Sequence, residues 1–511
     1  MELIGMSLTS SPEQAEAAQP SQPRGQPDLG VYPWVAMGVV VIGTFMSILD
    51  STIINVALPQ IGLDLHQPEN IEWIVTAYLL ALAVAQPATG WLADKFGRKR
   101  IFVWSMGLFS LGSLAAALAP NLGFLIGFRV LQGLGGGAMM PVGLAMIYEL
   151  FPPDKRGGAM GIWGIAAMTG PAIGPVLGGF IVTAVSWRWL FIINVPVGVV
   201  GVVLATILLR DLGYREARRF DLKGFWLAGL GLIAWLLAFS EGTQWGWESS
   251  QIVGLLVVGA VLLIGFGVHE VHVHEPLIEL RMFSNFVFSL TMVIAMVLVV
   301  AQYGRLIFMP LELETLRGMS ALKVGVILTP GALGAASTMP IGGRLSDRVG
   351  ARIPAVVGLS VVAVTTLLLA LITVHTSVVY LMVVLAISGA GTGLAMTPMM
   401  VAALNAVQAK FVAQASSVRS LNRYVAGSFA VAILSTILTA QIGSLSASTA
   451  VNLSPAQIQT SYNLIFWIAF ACVVATVVLA IFLPGAAKTR EYQALRQEEQ
   501  DDMGRAGLYG E

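Results

Sequence analysis

Charge is scarce in this sequence. Asp, Glu, Lys and Arg make up 11% of its 511 residues, where a soluble domain carries about 25%. That shortage excludes a water-solvated surface over most of the chain, and a mean hydropathy of +0.81 points the same way. Neither sign is in excess, since 28 basic residues balance 28 acidic ones. No basic field is left over to hold nucleic acid. Cysteine is nearly absent: Cys472 alone cannot form an intrachain disulfide, and in its apolar run it reads as a small buried residue. No His/Cys cluster has metal-ligand spacing, so no metal and no other cofactor is expected. His269, His272 and His274 could serve a metal or a pH response, but a solvated loop accounts for them. There is no GxxxxGK[ST] phosphate loop and no nucleophile–base set, so neither an ATPase nor any other enzyme is expected. Work must come from an ion or substrate gradient.

What the chain has instead is apolar runs long enough to cross a bilayer. They fall near 34–59, 71–93, 100–119, 122–147, 158–184, 189–209, 222–240, 251–268, 286–310, 321–343, 353–373, 378–403, 415–440 and 462–483, fourteen in all. The fold class is therefore an all-α integral membrane protein. Residues 1–30, rich in Ser, Pro, Gln and Ala, read as a disordered tail and not as a signal peptide. Lys and Arg crowd the loops of one side (Lys95 to Arg100, Lys155, Arg156, Arg210 to Lys223, Arg281, Arg344 to Arg352, Lys410). They are few on the other side: Arg188, Arg305, Arg317 and Lys323. That bias places both termini in the cytoplasm of a multi-pass plasma-membrane protein.

The segment GWLADKFGRKR (90–100) after the second span returns as GGRLSDRVGAR (342–352) after the tenth, both containing G-x-L-x-D-[KR]-x-G. The chain thus divides into a tail 1–30, six spans in 31–210, a two-span insert in 211–283, six spans in 284–485 and a cytoplasmic tail 486–511. Parallel repeats of this kind place a substrate site at mid-membrane between the halves. The repeated loop reads as a latch. Gly90 and Gly97 allow a sharp turn. Asp94 can accept from N–H groups at the start of the thirteenth span, near Ser416 and Ser417. Arg98 can pair with Glu149, and Asp347 is the acid of the second copy.

Asp50 stands inside the first span, where a carboxylate costs roughly 2.5–3.5 kcal/mol on insertion scales. At about 100° per residue, Thr44, Ser47, Asp50, Ser51 and Asn55 fall in an arc of roughly 140°. Arg129, Gln132, Gly133, Gly136 and Met140 form one face of the fourth span. Burial and a nearby Arg pull the proton affinity of an acid in opposite directions. Asp50 with Arg129 is then either a proton-coupling pair or a permanent ion pair that fixes register. In the fifth span, Gly170, Gly174 and Gly178 share a face that permits close helix approach, and Pro171 and Pro175 permit a kink. The expectation is a hinge. Tyr78, Trp163 and Tyr303, with Asn55 and Gln132, are candidates to line a tolerant cavity, although most span aromatics are packing or interfacial anchors.

The repeated loop is similar to the inner-loop signature of the major facilitator superfamily. With fourteen spans the chain resembles that superfamily's fourteen-span drug:proton antiporter family. LDSTIINVALPQI (49–61), LIGFRVLQGLGGG (125–137), WRWLFIINVPVG (187–198) and RSLNRYVAGSFAVA (419–432) each resemble a signature of that family. The resemblance implies a fold of two six-helix bundles plus two extra helices. It also implies coupling roles for Asp50 and Arg129, and export as the direction, since the fifth-span run is similar to the antiporter signature. Arg423 matches the family's thirteenth-span Arg, with gating, substrate contact and plain pairing all open. The ninth span departs from the family, reading LELET where members tend to read like LYLQ. Glu312 and Glu314 there are either outer-rim ion pairs or a lure for cations. The implied function is proton-coupled export of amphiphilic or cationic organic compounds, such as drugs, by alternating access. Export of a dedicated endogenous lipid or metabolite is the alternative, and nutrient uptake is less favoured. The implied partners are protons, a small-molecule substrate and the bilayer; need for a periplasmic adaptor stays open.

Overall fold

A computed structural model describes residues 31–67, 71–210, 219–449, 454–492 and 494–495. The expected tail 1–30, most of the basic stretch after Arg210 and most of the tail after Ala486 lie outside the described residues. Within them the regular structure is helical, with one isolated antiparallel bridge between Gly350 and Gly485. This is what lipid dictates, because each backbone N–H and C=O in the hydrocarbon must be satisfied within its own segment.

The first span is α1 (Tyr32–Ile53), a 3₁₀ turn (Ile54–Ala57) and α2 (Leu58–Asp64). α3 (Trp73–Phe96), α4 (Arg98–Ala117), α5 (Leu122–Leu150) and α6 (Arg156–Ala184) follow. α7 (Trp189–Ile192) and α8 (Asn194–Leu208) share the sixth span, and α9 (Leu222–Trp245) with α10 (Ser250–His272) form the insert. The ninth span is α11 (Phe286–Tyr303), a π-helical turn (Gly304–Phe308) and α12 (Met309–Thr315). α13 (Ala321–Val349), α14 (Arg352–Ala370), α15 (Val378–Asn405), α16 (Val412–Thr449) and α17 (Pro455–Ala480) complete the chain. Among the described residues 13 segments are long and apolar enough to cross a membrane. α6, at 29 residues, supplies the length of the fourteenth, in the expected place. Several helices run beyond the predicted ends: α17 starts earlier, at Pro455, behind its Ser454 cap, and α5, α9 and α10 continue to Leu150, Trp245 and His272, while Asn121, Asp221, Ser249, Ser377 and Ser454 each accept from a backbone N–H of the first turn.

The two repeat copies end their helices alike. Gly97 (φ 89°) stops α3 and Gly350 (φ 84°) stops α13, a backbone region that glycine enters without a Cβ penalty. Gly90 does not sit in the turn. It lies inside α3, and a Cβ there would stand 2.7 Å from Gln414 Cγ and 3.1 Å from Gln414 Cα. The glycine serves close approach of α3 to α16 rather than chain reversal.

α3 and α4 pack on α5, and α1 packs on α6, α8 and α5; in the later part α13 and α14 pack on α15, with α11 and α14 on α17. The two sets meet where α6 lies along α13 and where α16 lies against α3 and α5. α9 leans on α3 and α16, and α10 covers α9. The outer face of α10 exposes Val253, Val257, Val261, Ile264 and Val268, the apolar surface that lipid requires.

Candidate functional site

Asp50 is 1% exposed on α1 and is surrounded by donors. Arg129 Nη1, from α5, reaches Asp50 Oδ2 at 2.5 Å. Gln132 Nε2 and Asn194 Nδ2 both donate to Asp50 Oδ1, at 2.9 and 2.8 Å. The same two amide nitrogens each donate to Ser113 Oγ at 3.1 Å, and Ser113 Oγ donates to the Phe191 carbonyl at 3.0 Å. Gln132 Oε1 in turn accepts from Arg129 Nη1 at 2.7 Å. Two carboxamides therefore bridge the same carboxylate and the same hydroxyl, with every oxygen of Asp50 and Ser113 engaged. Arg129 is pinned further by the Ile74 carbonyl, at 3.1 Å from Nε, and by the ring of Tyr78, whose centroid lies 4.0 Å from its Cζ. Both carboxylate oxygens of the buried pair are thus satisfied, while Arg129 Nη2 is buried without a hydrogen-bond partner among the described residues.

The local sequence explains the convergence. The glycines of α5 remove side chains where neighbours press in: a Cβ on Gly133 would lie 2.5 Å from the Tyr78 carbonyl oxygen, and one on Gly135 2.5 Å from the Phe109 nitrogen. Arg129 and Gln132, three apart, share the face that meets α1. Asn194 begins α8, where the break after α7 turns its amide inward. Sequence reasoning did not single out Asn194 or Ser113. The one signal was Asn194 within the quoted WRWLFIINVPVG run, an amide in an otherwise apolar span.

The other candidates divide. Tyr78 is fully buried, its hydroxyl 3.2 Å from Ser47 Oγ. Trp163 is buried and donates to Thr44 Oγ1 at 3.3 Å, and Asn55 is exposed in the 3₁₀ turn that breaks the first span. Tyr303 lies against Gly427 of α16, where a Cβ would stand 2.6 Å from its ring, and Arg423 is half-buried one turn away. Glu312 is not a cavity-lining acid. It is 0% exposed and holds Arg317 Nη2 at 3.1 Å, while Arg317 also donates to the Thr373 and Thr376 carbonyls. Burial at the helix end made the partner obligatory. Glu314 points outward and is exposed.

At the basic face the two halves are tied together. Asp347, from the second repeat copy, accepts from Gly157 N at 3.1 Å and Gly158 N at 3.3 Å, capping the start of α6. The backbones touch there: a Cβ on Gly157 would meet the Gly343 carbonyl oxygen at 2.2 Å, and one on Gly161 would meet Pro340 Cα at 2.4 Å. Tyr148 at the end of α5 donates its hydroxyl to Asn405 Oδ1 at the end of α15, and Arg156 stacks over the Tyr148 ring at 4.2 Å. Arg98 forms an ion pair with Glu149. Asp94 is 3% exposed at the same end of α3. Gly170, Gly174 and Gly178 face α1: added Cβ atoms would lie 2.7 Å from Ile48 Cγ2, 2.4 Å from Thr52 Oγ1 and 2.8 Å from the Ile53 carbonyl oxygen. Pro171 and Pro175 fall within α6, and their side chains lie outside the described residues. α6 thus uses one glycine face on α1 and another on α13; the second, Gly157 and Gly161, was legible only as a four-residue spacing.

Comparison with known proteins agrees with this architecture. The chain is 32% identical over 527 residues to the multidrug resistance protein B homolog of Mycobacterium tuberculosis (strain ATCC 25618 / H37Rv), covering 94% of this chain and 97% of that one. It is 32% identical over 407 residues to the multidrug transporter protein MdtP of Bacillus subtilis (strain 168), covering 80% and 75%. Among solved structures it is similar in fold to the proton:xylose symporter XylE, with a TM-score of 0.63 at 13% identity over 89% of this chain and 96% of that one. The profile of one family matches residues 40–431, and again 293–504. With its helical fold, its repeated loop and that match, the chain belongs to the Major Facilitator Superfamily.

Proposed function

We propose that the chain is a proton-coupled exporter of amphiphilic organic compounds, working by alternating access in the plasma membrane with its basic face and both termini in the cytoplasm. The observation that carries the reading is the Asp50 cluster: a membrane-embedded carboxylate whose oxygens accept from Arg129, Gln132 and Asn194. Protonation of Asp50 removes the acceptor charge from all three donors at once. It thereby frees Arg129 on α5 and loosens α1 from α8. Residues 31–210 and 284–485 move as units about their junction, with the insert 211–283 alongside. α6 is the element on which they pivot, since its two glycine faces hold α1 and α13. Asp347, with Tyr148 and Asn405, forms the latch that parts when the basic face opens. The names of the M. tuberculosis and B. subtilis relatives support drug-like cargo. A membrane potential supplies about 2.3 kcal/mol per charge per 100 mV to such exchange.

The test uses purified protein in liposomes with an imposed pH gradient and a trapped pH-sensitive dye. Amphiphilic compounds added to wild type should release protons in proportion to their own movement. Asp50→Asn should abolish that coupling while the protein remains folded. Full coupling in Asp50→Asn would leave Asp50 and Arg129 as a structural ion pair and overturn the reading.

A further inference from the structure

We propose that the substrate site takes the anionic head of an amphiphile, and that Arg305 receives it; the inference rests on the transporter reading above. Arg305 is the twentieth residue of the ninth span, counted from Phe286, much as Asp50 is the nineteenth of the first, counted from Tyr32. The two first-in-half spans also break at this level, into a 3₁₀ turn in one case and a π-helical turn that contains Arg305 in the other. Such turns inside helices recur at functional sites. The neighbours correspond as well. Asp50 meets Arg129 and Gln132 of the fourth span, and Arg305 donates to Ser388 and Thr392 of the twelfth, the fourth of its own half.

The charge balance does not correspond. Asp50 is neutralised by Arg129, but among the described residues Arg305 donates to two hydroxyls and no carboxylate pairs with it. The nearest acid along its span, Glu312, is committed to Arg317. Arg419 and Arg423 repel each other on α16, and Arg423 lies one turn from Gly427, which packs on Tyr303. A guanidinium at membrane depth without an anion is costly. Its planar fork suits a carboxylate, sulfonate or phosphate. Tyr303, two residues before Arg305, lies within electrostatic reach of Tyr424 on α16, which also feels Arg423, and on this proposal their rings meet the body of the same molecule. Of the two acids that could draw a cationic cargo, Glu312 is closed off in its ion pair and Glu314 points outward.

The experiment measures binding, without any gradient, of three fluorescent probes of one shape: pyrenebutyrate, pyrenebutanamide and pyrenebutylammonium. The wild-type protein is held in nanodiscs of phosphatidylcholine. Pyrenebutyrate is expected to bind at least tenfold tighter than the amide and tighter still than the ammonium. Arg305→Gln should bring the anion:amide ratio to about one with amide affinity unchanged, and Arg305→Lys should restore part of it. Repeating the titration with anionic phosphatidylglycerol present separates the sources of the anion. Competition assigns the site to a lipid headgroup, and no competition assigns it to a transported solute. Equal affinity for all three probes in wild type, or preference for the ammonium, overturns the proposal even if no Arg305 variant folds. If coupled export is found without anion preference, the substrate class falls and the transporter reading stands. If no compound drives proton release, the transporter reading falls whatever the probes show.

Discussion

Gly157→Ala adds one carbon where the halves touch. The new Cβ would stand 2.2 Å from the Gly343 carbonyl oxygen and 2.6 Å from Asp347 Oδ1, where real Cβ atoms keep at least 3.0 Å. The nearest neighbour is backbone inside α13, so no side-chain rotation relieves the contact, and α6 must draw back from α13. Overpacking of this sort costs about 1–3 kcal/mol. Separation would also stretch the two hydrogen bonds that Asp347 accepts from the start of α6. The cost falls on the arrangement in which the basic face is closed, and it shifts the population toward the open one by roughly 5- to 150-fold. The measurement is the distance between spin labels on cysteines at Arg100 and Lys410, both exposed and one in each half, in a Cys472→Ser background. Gly157→Ala should populate longer distances and lower the rate of proton-coupled exchange. Gly158→Ala is the control, since its Cβ would meet only Arg344 Cγ at an ordinary 3.4 Å. Identical distance distributions for wild type and Gly157→Ala, with thermal stability also unchanged, would refute the idea that this contact belongs to one state.

Asn194→Ala removes one donor from a buried carboxylate, a bond worth about 1.5–3 kcal/mol; exchange in liposomes should slow by roughly tenfold or more with helical content by circular dichroism unaltered. Arg98→Ala removes the cation paired with Glu149, and Glu149→Ala removes the carboxylate paired with an Arg that is 2% exposed. Each should destabilise by about 3–5 kcal/mol, seen as a lower unfolding midpoint, and a double variant less damaging than the sum would report the pair. Gly174→Val forces a branched side chain into Thr52 Oγ1, 2.4 Å from the ideal Cβ. It should cost about 1–3 kcal/mol of stability, and normal yield and melting behaviour would show that α6 and α1 part easily.

Much of the molecule is legible from local pattern. Scarce charge and long apolar runs require membrane helices, because lipid offers the backbone no other partner. The repeated G-x-L-x-D-[KR]-x-G predicts that two helices end alike, and Gly97 and Gly350 do end them with positive φ. Asp50 announces itself by the cost of its place. What sequence could not supply is the neighbour across the fold. Asn194 reaches Asp50 from 144 positions away, and nothing in its own segment marks it apart from an amide among apolar residues. Gly90 reads as a turn residue until α16 is seen against it. Glu312 reads as either a rim ion pair or a lure for cations until Arg317 and the carbonyls of Thr373 and Thr376 enclose the pair. Hydropathy and periodicity act within about one helix, so they determine which segments span and which faces are polar. Which polar face closes on which is decided only by packing between distant helices. That packing leaves Asp50 neutralised by Arg129 and Arg305, among the described residues, without a carboxylate.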